Sequence, residues 1–159
     1  MLKRATIDDT GKYRYTLERS WGSDPANFVN FVLLNPSTAD VTKDDPTVRA
    51  CVEFARRWGF DGLVVTNLFA FKATAPSKMR SCSNPHGDLN DEYIRRVAKK
   101  AVLVVVAWGN HGSHCGRDKE VMNILTRIKQ PRCLSITKTG QPKHPLYVKR
   151  DTKAKPYGL

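Results

Sequence analysis

A chain of 159 residues is long enough for one domain with one hydrophobic core, and a hydrophobic fraction of 40% excludes a disordered chain. No apolar run approaches the ~20 residues of a bilayer-crossing helix, so no membrane partner is expected. The 27 Lys and Arg against 15 Asp and Glu give a formal charge of +12. That excess resists self-association and attracts polyanions, which points to nucleic acid or nucleotide as the partner.

Met1 to Asp9 lacks the apolar core of a secretory signal, so a cytoplasmic location is expected. Tyr13-Arg14-Tyr15-Thr16-Leu17 alternates and is rich in β-formers, which predicts a first strand or hairpin arm. Gly22 to Pro25 is a turn. Phe28 to Leu34 reads as a central strand. It breaks at Asn35-Pro36-Ser37-Thr38, because Pro has no N–H to give a ladder. Asp45 offers a side-chain cap and Pro46 a preset first turn. The following helix, to Trp58, carries the stripe Val48, Cys51, Val52, Ala55 and Trp58, and Gly59 ends it.

Gly62 to Leu68 is a second central strand, running into the polar Asn67. After Phe69 to Pro76 comes a loop rich in Ser, Pro, Asn and Gly, reaching about Gly87. Asp88 to Asp91 opens a helix whose end bears Arg95, Arg96, Lys99 and Lys100, cations that suit the dipole there. Ala101 to Trp108 is apolar on both faces, as an interior strand of a mostly parallel sheet is. Gly109-Asn110-His111-Gly112 is a tight loop. Val121, Ile124, Leu125 and Ile128 stripe the next helix, which Pro131 closes. Cys133 to Thr137 is the last strand, and a basic tail starts at about 148. Strands alternate with helices, and no repeat or domain boundary interrupts them. The prediction is a single α/β domain, a three-layer α/β/α sandwich around a central, mostly parallel sheet. The four cysteines show no close pairing motif, so reduced thiols are expected.

Each central strand is followed by a loop that opens on polar chemistry: Asn35-Pro36, Asn67, Trp108-Gly109-Asn110-His111 and His144-Pro145. In open α/β sheets ligands bind at such carboxyl ends. The stretches Leu33 to Asp40, Asp45 to Arg49, Asn67 to Ala70, Ala107 to Gly109 and His144 to Tyr147 resemble an uncharacterised bacterial and phage domain family. In words, these are the LLNPSTAD, DPTVR, NLFA, AWG and HPLY motifs. Behind that stands a looser similarity to the uracil-DNA glycosylase superfamily. Asn35 falls where its first-loop Asp or Asn sits, Asn67 where the base-reading Asn sits, and Trp108-Gly109 on its Trp-Gly. His144 falls on the motif histidine. Leu34 stands in place of the first-motif Gly, Asn35 in place of the Asp of the most active branch, and Leu146 in place of the His-Pro-Ser serine.

This resemblance implies a nucleobase- or nucleotide-binding pocket and hydrolysis or transfer at an N-glycosidic bond. Asn35 and Asp40 would place or activate the nucleophile, and His144 would stabilise the leaving group. Asn67 would read the base, with Pro36, Ser37, Phe69, Asn110 and His111 as further binding residues. A non-catalytic nucleic-acid binding module, serving phage–host conflict or repair, is the alternative. Plainer readings stand beside these. Asn35 and Asp40 could bond their own turns, Asn67 could satisfy a loop backbone, and Phe69 could be core. Cys82, His86, His111, His114 and Cys115 lie in two loops and form a partial ligand set, but their spacing matches no strong zinc motif. No metal and no cofactor are expected.

Overall fold

The computed structural model describes residues 1–158. The fold is α/β, with a seven-stranded sheet and four α-helices among the described residues. The strands are β1 Leu2–Ile7, β2 Arg14–Ser20, β3 Phe28–Leu33, β4 Gly62–Asn67, β5 Leu103–Val106, β6 Arg132–Cys133 and β7 Lys155–Pro156. The helices are α1 Pro46–Arg57, α2 Pro76–Ser81, α3 Asn90–Lys100 and α4 Arg117–Thr126, and two 3₁₀ turns span Asn110–Gly116 and Pro145–Tyr147. No helix among these residues is long and apolar enough to cross a membrane.

Strand order is β1-β2-β4-β3-β5-β6-β7. The inner strands β4, β3, β5 and β6 run parallel, whereas β1, β2 and β7 pair antiparallel. The sheet is therefore mixed, which corrects the expectation of a mostly parallel one. The expected strand at Cys133–Thr137 also shrinks. The chain leaves the sheet after Cys133 and folds into a tight hairpin, with Thr137 N–H donating to Gln141 O at 2.8 Å and Gly140 N–H to Thr137 O at 3.0 Å. The Ser- and Pro-rich loop after β4 contains α2, which buries Met79. The residues after 148 come back to the sheet as β7, and Val148 and Ala154 pack against the core.

Alternation along β3 divides the core. Val29, Phe31 and Leu33 face α1, packing with Val48, Cys51, Phe54 and Ala55. Val32 faces α3 and α4, packing with Ile94, Ala98, Val121 and Leu125. Helix α1 forms where the sequence predicts it: Asp45 accepts a hydrogen bond from Val48 N–H at 2.9 Å, and Pro46 opens the first turn.

Candidate functional site

The chain passes from β3 to β4 on one side of the sheet, then on to β5 on the other side of β3. Connections that diverge in this way open a crevice at the strands' carboxyl ends. Here it is a cavity of about 500 Å³. Six of the residues expected at the site line it: Asn35, Ser37, Asn67, Asn110, His111 and His144. Pro36, Asp40 and Phe69 do not. Pro36 is buried and offers its carbonyl to Ala73 N–H at 2.9 Å. Phe69 belongs to the core between sheet and helices. Asp40 accepts from Thr42 N–H at 3.0 Å and Lys43 N–H at 2.7 Å, holding its own turn. Those bonds, Lys43's first, keep its carboxyl below the usual range.

Asn67 closes β4 and is 1% exposed, yet neither its amide nitrogen nor its amide oxygen has a hydrogen-bond partner. Its backbone is pinned from both sides. Leu68 N–H donates to Leu33 O at 2.9 Å and Phe69 N–H to Leu34 O at 3.0 Å, which extends the β3–β4 pairing past the strands' ends. The fully buried Asn90 of α3 donates to the carbonyls of Asn67 (2.9 Å) and Leu68 (3.1 Å), and Arg117 Nε donates to Leu68 O at 2.8 Å. The carbonyls of Asn67 and Leu68 are thus satisfied, and Asn90 keeps one amide oxygen without a partner, whereas on the Asn67 side chain both polar atoms lack one.

Asn35 spends both amide hydrogens on the loops, donating to Pro36 O at 2.9 Å and Ala73 O at 2.8 Å. The turn-bonding role is thus real, and it leaves the acceptor oxygen as the group Asn35 can offer a ligand. His144 Nδ1 accepts from Leu146 N–H at 3.2 Å, so a neutral ring carries its proton on Nε2. Burial pushes the imidazole below its ordinary value, against the pull of the Asp45 carboxylate, and the ring is neutral at neutral pH. Asn110 Oδ1 accepts from the hydroxyls of Thr137 and Thr139, each at 2.7 Å, tying the loop after β5 to the hairpin before His144.

Two glycines shape that loop. Gly109 has φ 76° and ψ −171°, a region essentially closed to residues with a Cβ. At Gly112 a Cβ would lie 2.1 Å from Trp108 Cδ1, so the loop can turn back over the indole only because no side chain is there. Trp108, donating from Nε1 to Gln141 Oε1 at 2.8 Å, becomes a cavity wall.

Several cavity residues escaped the sequence reading of the site. Asp45, a helix cap by sequence, is also the one carboxylate lining the cavity among the described residues. Tyr147, 74% exposed, lines the cavity, its ring 5.7 Å from that of His144. Arg14 is 3% exposed and lines the cavity from β2. A charged residue between two tyrosines in a β-prone run was the available signal. No group of three or more His, Cys, Asp or Glu among the described residues could hold a metal ion. His114 and Cys115 are in contact, Nε2 to Sγ 3.4 Å, without further ligands.

The geometry defines an α/β protein with a polar crevice where its central parallel strands end. A family model matches residues 14–146, and the chain belongs to that family, DUF1643, described as a protein of unknown function. The matched segment runs from Arg14 to Leu146 and so takes in every cavity-lining residue except Tyr147. No curated protein and no solved structure matches the chain.

Proposed function

We propose that the cavity binds a nucleobase or nucleotide and that the protein hydrolyses or transfers at an N-glycosidic bond. The observation that carries this is Asn67. A buried, unpartnered amide costs about 1–3 kcal/mol per polar group left without a hydrogen bond. A primary amide offers one donor and one acceptor side by side, the complement of the paired groups on a base edge. The motif similarity to the uracil-DNA glycosylase superfamily and the helices packed on both faces of the sheet agree with this reading, and with a three-layer α/β/α arrangement.

In this reading a water attacks the anomeric carbon and the C–N bond breaks, its electron pair leaving with the base. Asn35 Oδ1 accepts a hydrogen bond from the water. Asp40 lies outside the cavity, so the carboxylate positioned to take the water's proton is Asp45. His144, neutral with its proton on Nε2, donates to a base oxygen as negative charge builds there. A second reading, non-catalytic binding of nucleic acid, draws on the +12 charge and on an amide rather than a carboxylate at position 35.

Incubation with a panel of nucleosides and modified oligonucleotides, followed by mass spectrometry, tests the proposal. Free base is expected from at least one substrate and none from Asn67→Ala. Binding without release would select the second reading. Failure of every base, nucleoside and oligonucleotide to bind would sink both.

A further inference from the structure

Three arginines are buried: Arg14, Arg19 and Arg117. Two of them are fully provided for. Arg19 pairs with Asp44 at 2.8 Å and donates to the carbonyls of Glu18 and Asp40, each at 2.8 Å. Arg117 pairs with Asp91 at 2.6 Å and donates to Leu68 O at 2.8 Å. Arg14 differs. Among the described residues it has no carboxylate within ion-pair distance, its Nε is buried without a partner, and its one hydrogen bond runs from Nη1 to Ala39 O at 3.0 Å. Burial lowers its pKa to about 10, opposed by the field of Asp45, so it is charged at neutral pH. A buried guanidinium with a buried, unpartnered nitrogen and no carboxylate beside it is costly unless something pairs with it. In this protein it sits on the cavity wall.

The fold goes out of its way to put it there. Thr6 pairs with Thr16, but Ile7 pairs with Arg14, so Tyr15 is an extra residue in β2. A bulge of this kind re-aims the side chains beside it. The Arg14 side chain reaches Ala39, behind the first loop, while Tyr15 stacks on Tyr93 of α3 with ring centroids 5.1 Å apart. Arg14 N–H donates to Ala70 O at 2.9 Å, which fixes the start of β2 just beyond the end of β4. Ser37 and Thr47, the latter in the first turn of α1, line the same cavity. Helix starts favour anions. Asp45 Oδ1 caps α1, and the carboxylate does not reach Arg14 as an ion pair.

We infer that Arg14 seats the phosphate of the ligand, so that the cavity takes a base together with a phosphate rather than a free base. The phosphate belongs either to a mononucleotide or to the backbone of a nucleic acid. The identity of the ligand as a nucleotide rests on the proposed reading of Asn67, whereas the need for an anion rests on Arg14 alone.

Titration calorimetry at low salt separates the two. The ligands are the bases, their nucleosides, the 3′- and 5′-monophosphates, ribose 5-phosphate, inorganic phosphate and a short single-stranded oligonucleotide. A monophosphate is expected to bind about tenfold or more tighter than its nucleoside, the scale of a charge-assisted hydrogen bond. Arg14→Met should reduce that advantage to nothing, leave nucleoside affinity unchanged, and melt at or above the wild-type temperature, because it removes an unpaired buried charge. An Arg14-dependent oligonucleotide with indifferent monophosphates also supports the seat and makes the phosphate a diester. Equal binding of nucleoside and monophosphate by the wild-type protein, with no phosphate advantage in the oligonucleotide, overturns the inference whether or not the variant folds. So does a phosphate preference that survives Arg14→Met, or a variant that melts far lower and weakens all ligands alike. Base binding that Asn67→Ala abolishes, with phosphate adding nothing, would keep the base reading and discard the seat. Arg14-dependent binding of ribose 5-phosphate or inorganic phosphate, with no base bound, would do the reverse. No binding by any of these ligands overturns both.

Discussion

Two buried asparagines at the end of β4 show how similar side chains take opposite parts. Asn90 satisfies two carbonyls, and Asn67 satisfies nothing. Asn90→Ala should therefore cost about 1–3 kcal/mol of stability. Asn67→Ala should change stability by no more than about 1 kcal/mol while abolishing base binding. Denaturant melts beside the binding assay check both. His144 makes a prediction in pH. Its folded pKa lies below its ordinary value of 6.5, so the unfolded chain binds the extra proton first. Stability is then level in this respect above pH 6.5 and declines as pH falls from there through the folded pKa. Protonation at Nδ1 also breaks the bond from Leu146 N–H. His144→Asn should remove that part of the acid sensitivity, read as melting temperature against pH.

Among the elements, α1 joins structure and chemistry at one residue. Asp45 caps the helix and faces the cavity. Ser caps as well as Asp, whereas Ala gives up about 1 kcal/mol. Asp45→Ser should thus melt near wild type, and Asp45→Ala slightly lower. If Asp45 also takes the water's proton, both variants lose base release. A cap with no other duty would leave the Ser variant active. The loop after β5 depends on a backbone only glycine adopts. Gly109→Ala should cost about 1–3 kcal/mol and shift Asn110 and His111. Weakened ligand binding together with a lower melting temperature is the expected result, since a hydrogen bond from Gly109 N–H to Pro142 O (2.8 Å) ties this loop to the one bearing His144.

At the scale of the molecule, the charge of +12 sets how a polyanion approaches. Affinity for an oligonucleotide should fall with added salt, with a logarithmic slope of about 0.7 per phosphate contacted on a single strand. A mononucleotide makes fewer such contacts and should respond much less. A titration series from low to moderate salt reads both slopes. An oligonucleotide as insensitive to salt as a mononucleotide would leave the surface charge without a part in binding. Contact with the cavity is a separate matter: its wall carries Arg14 and Asp45, one charge of each sign, so selectivity there comes from placed donors and acceptors rather than from net field.

Local chemistry was enough to mark much of this protein. The apolar runs of β3, β4 and β5 and the stripes of α1 and α4 read directly, because periodicity follows from which face is buried. The Asp45-Pro46 start of α1 read directly too, because capping is settled within one turn. Six of nine candidate site residues line the cavity: Asn67 ends a buried strand, and the other five lie in the loops and 3₁₀ turns beyond the strand ends. What depends on partners distant in sequence stayed hidden. Pairing of β2 against β4 made the sheet mixed and carried Arg14 to the ends of strands with which its own neighbours in sequence share no pattern. The short strands β6 and β7 exist only through pairing, β6 between β5 and β7 and β7 on β6 alone. In the sequence Asp40 stands as the candidate base and Asp45 only as a helix cap. Only the fold turns Asp40 into its own loop and places Asp45 on the cavity wall, since direction in space is set by packing rather than by residue type.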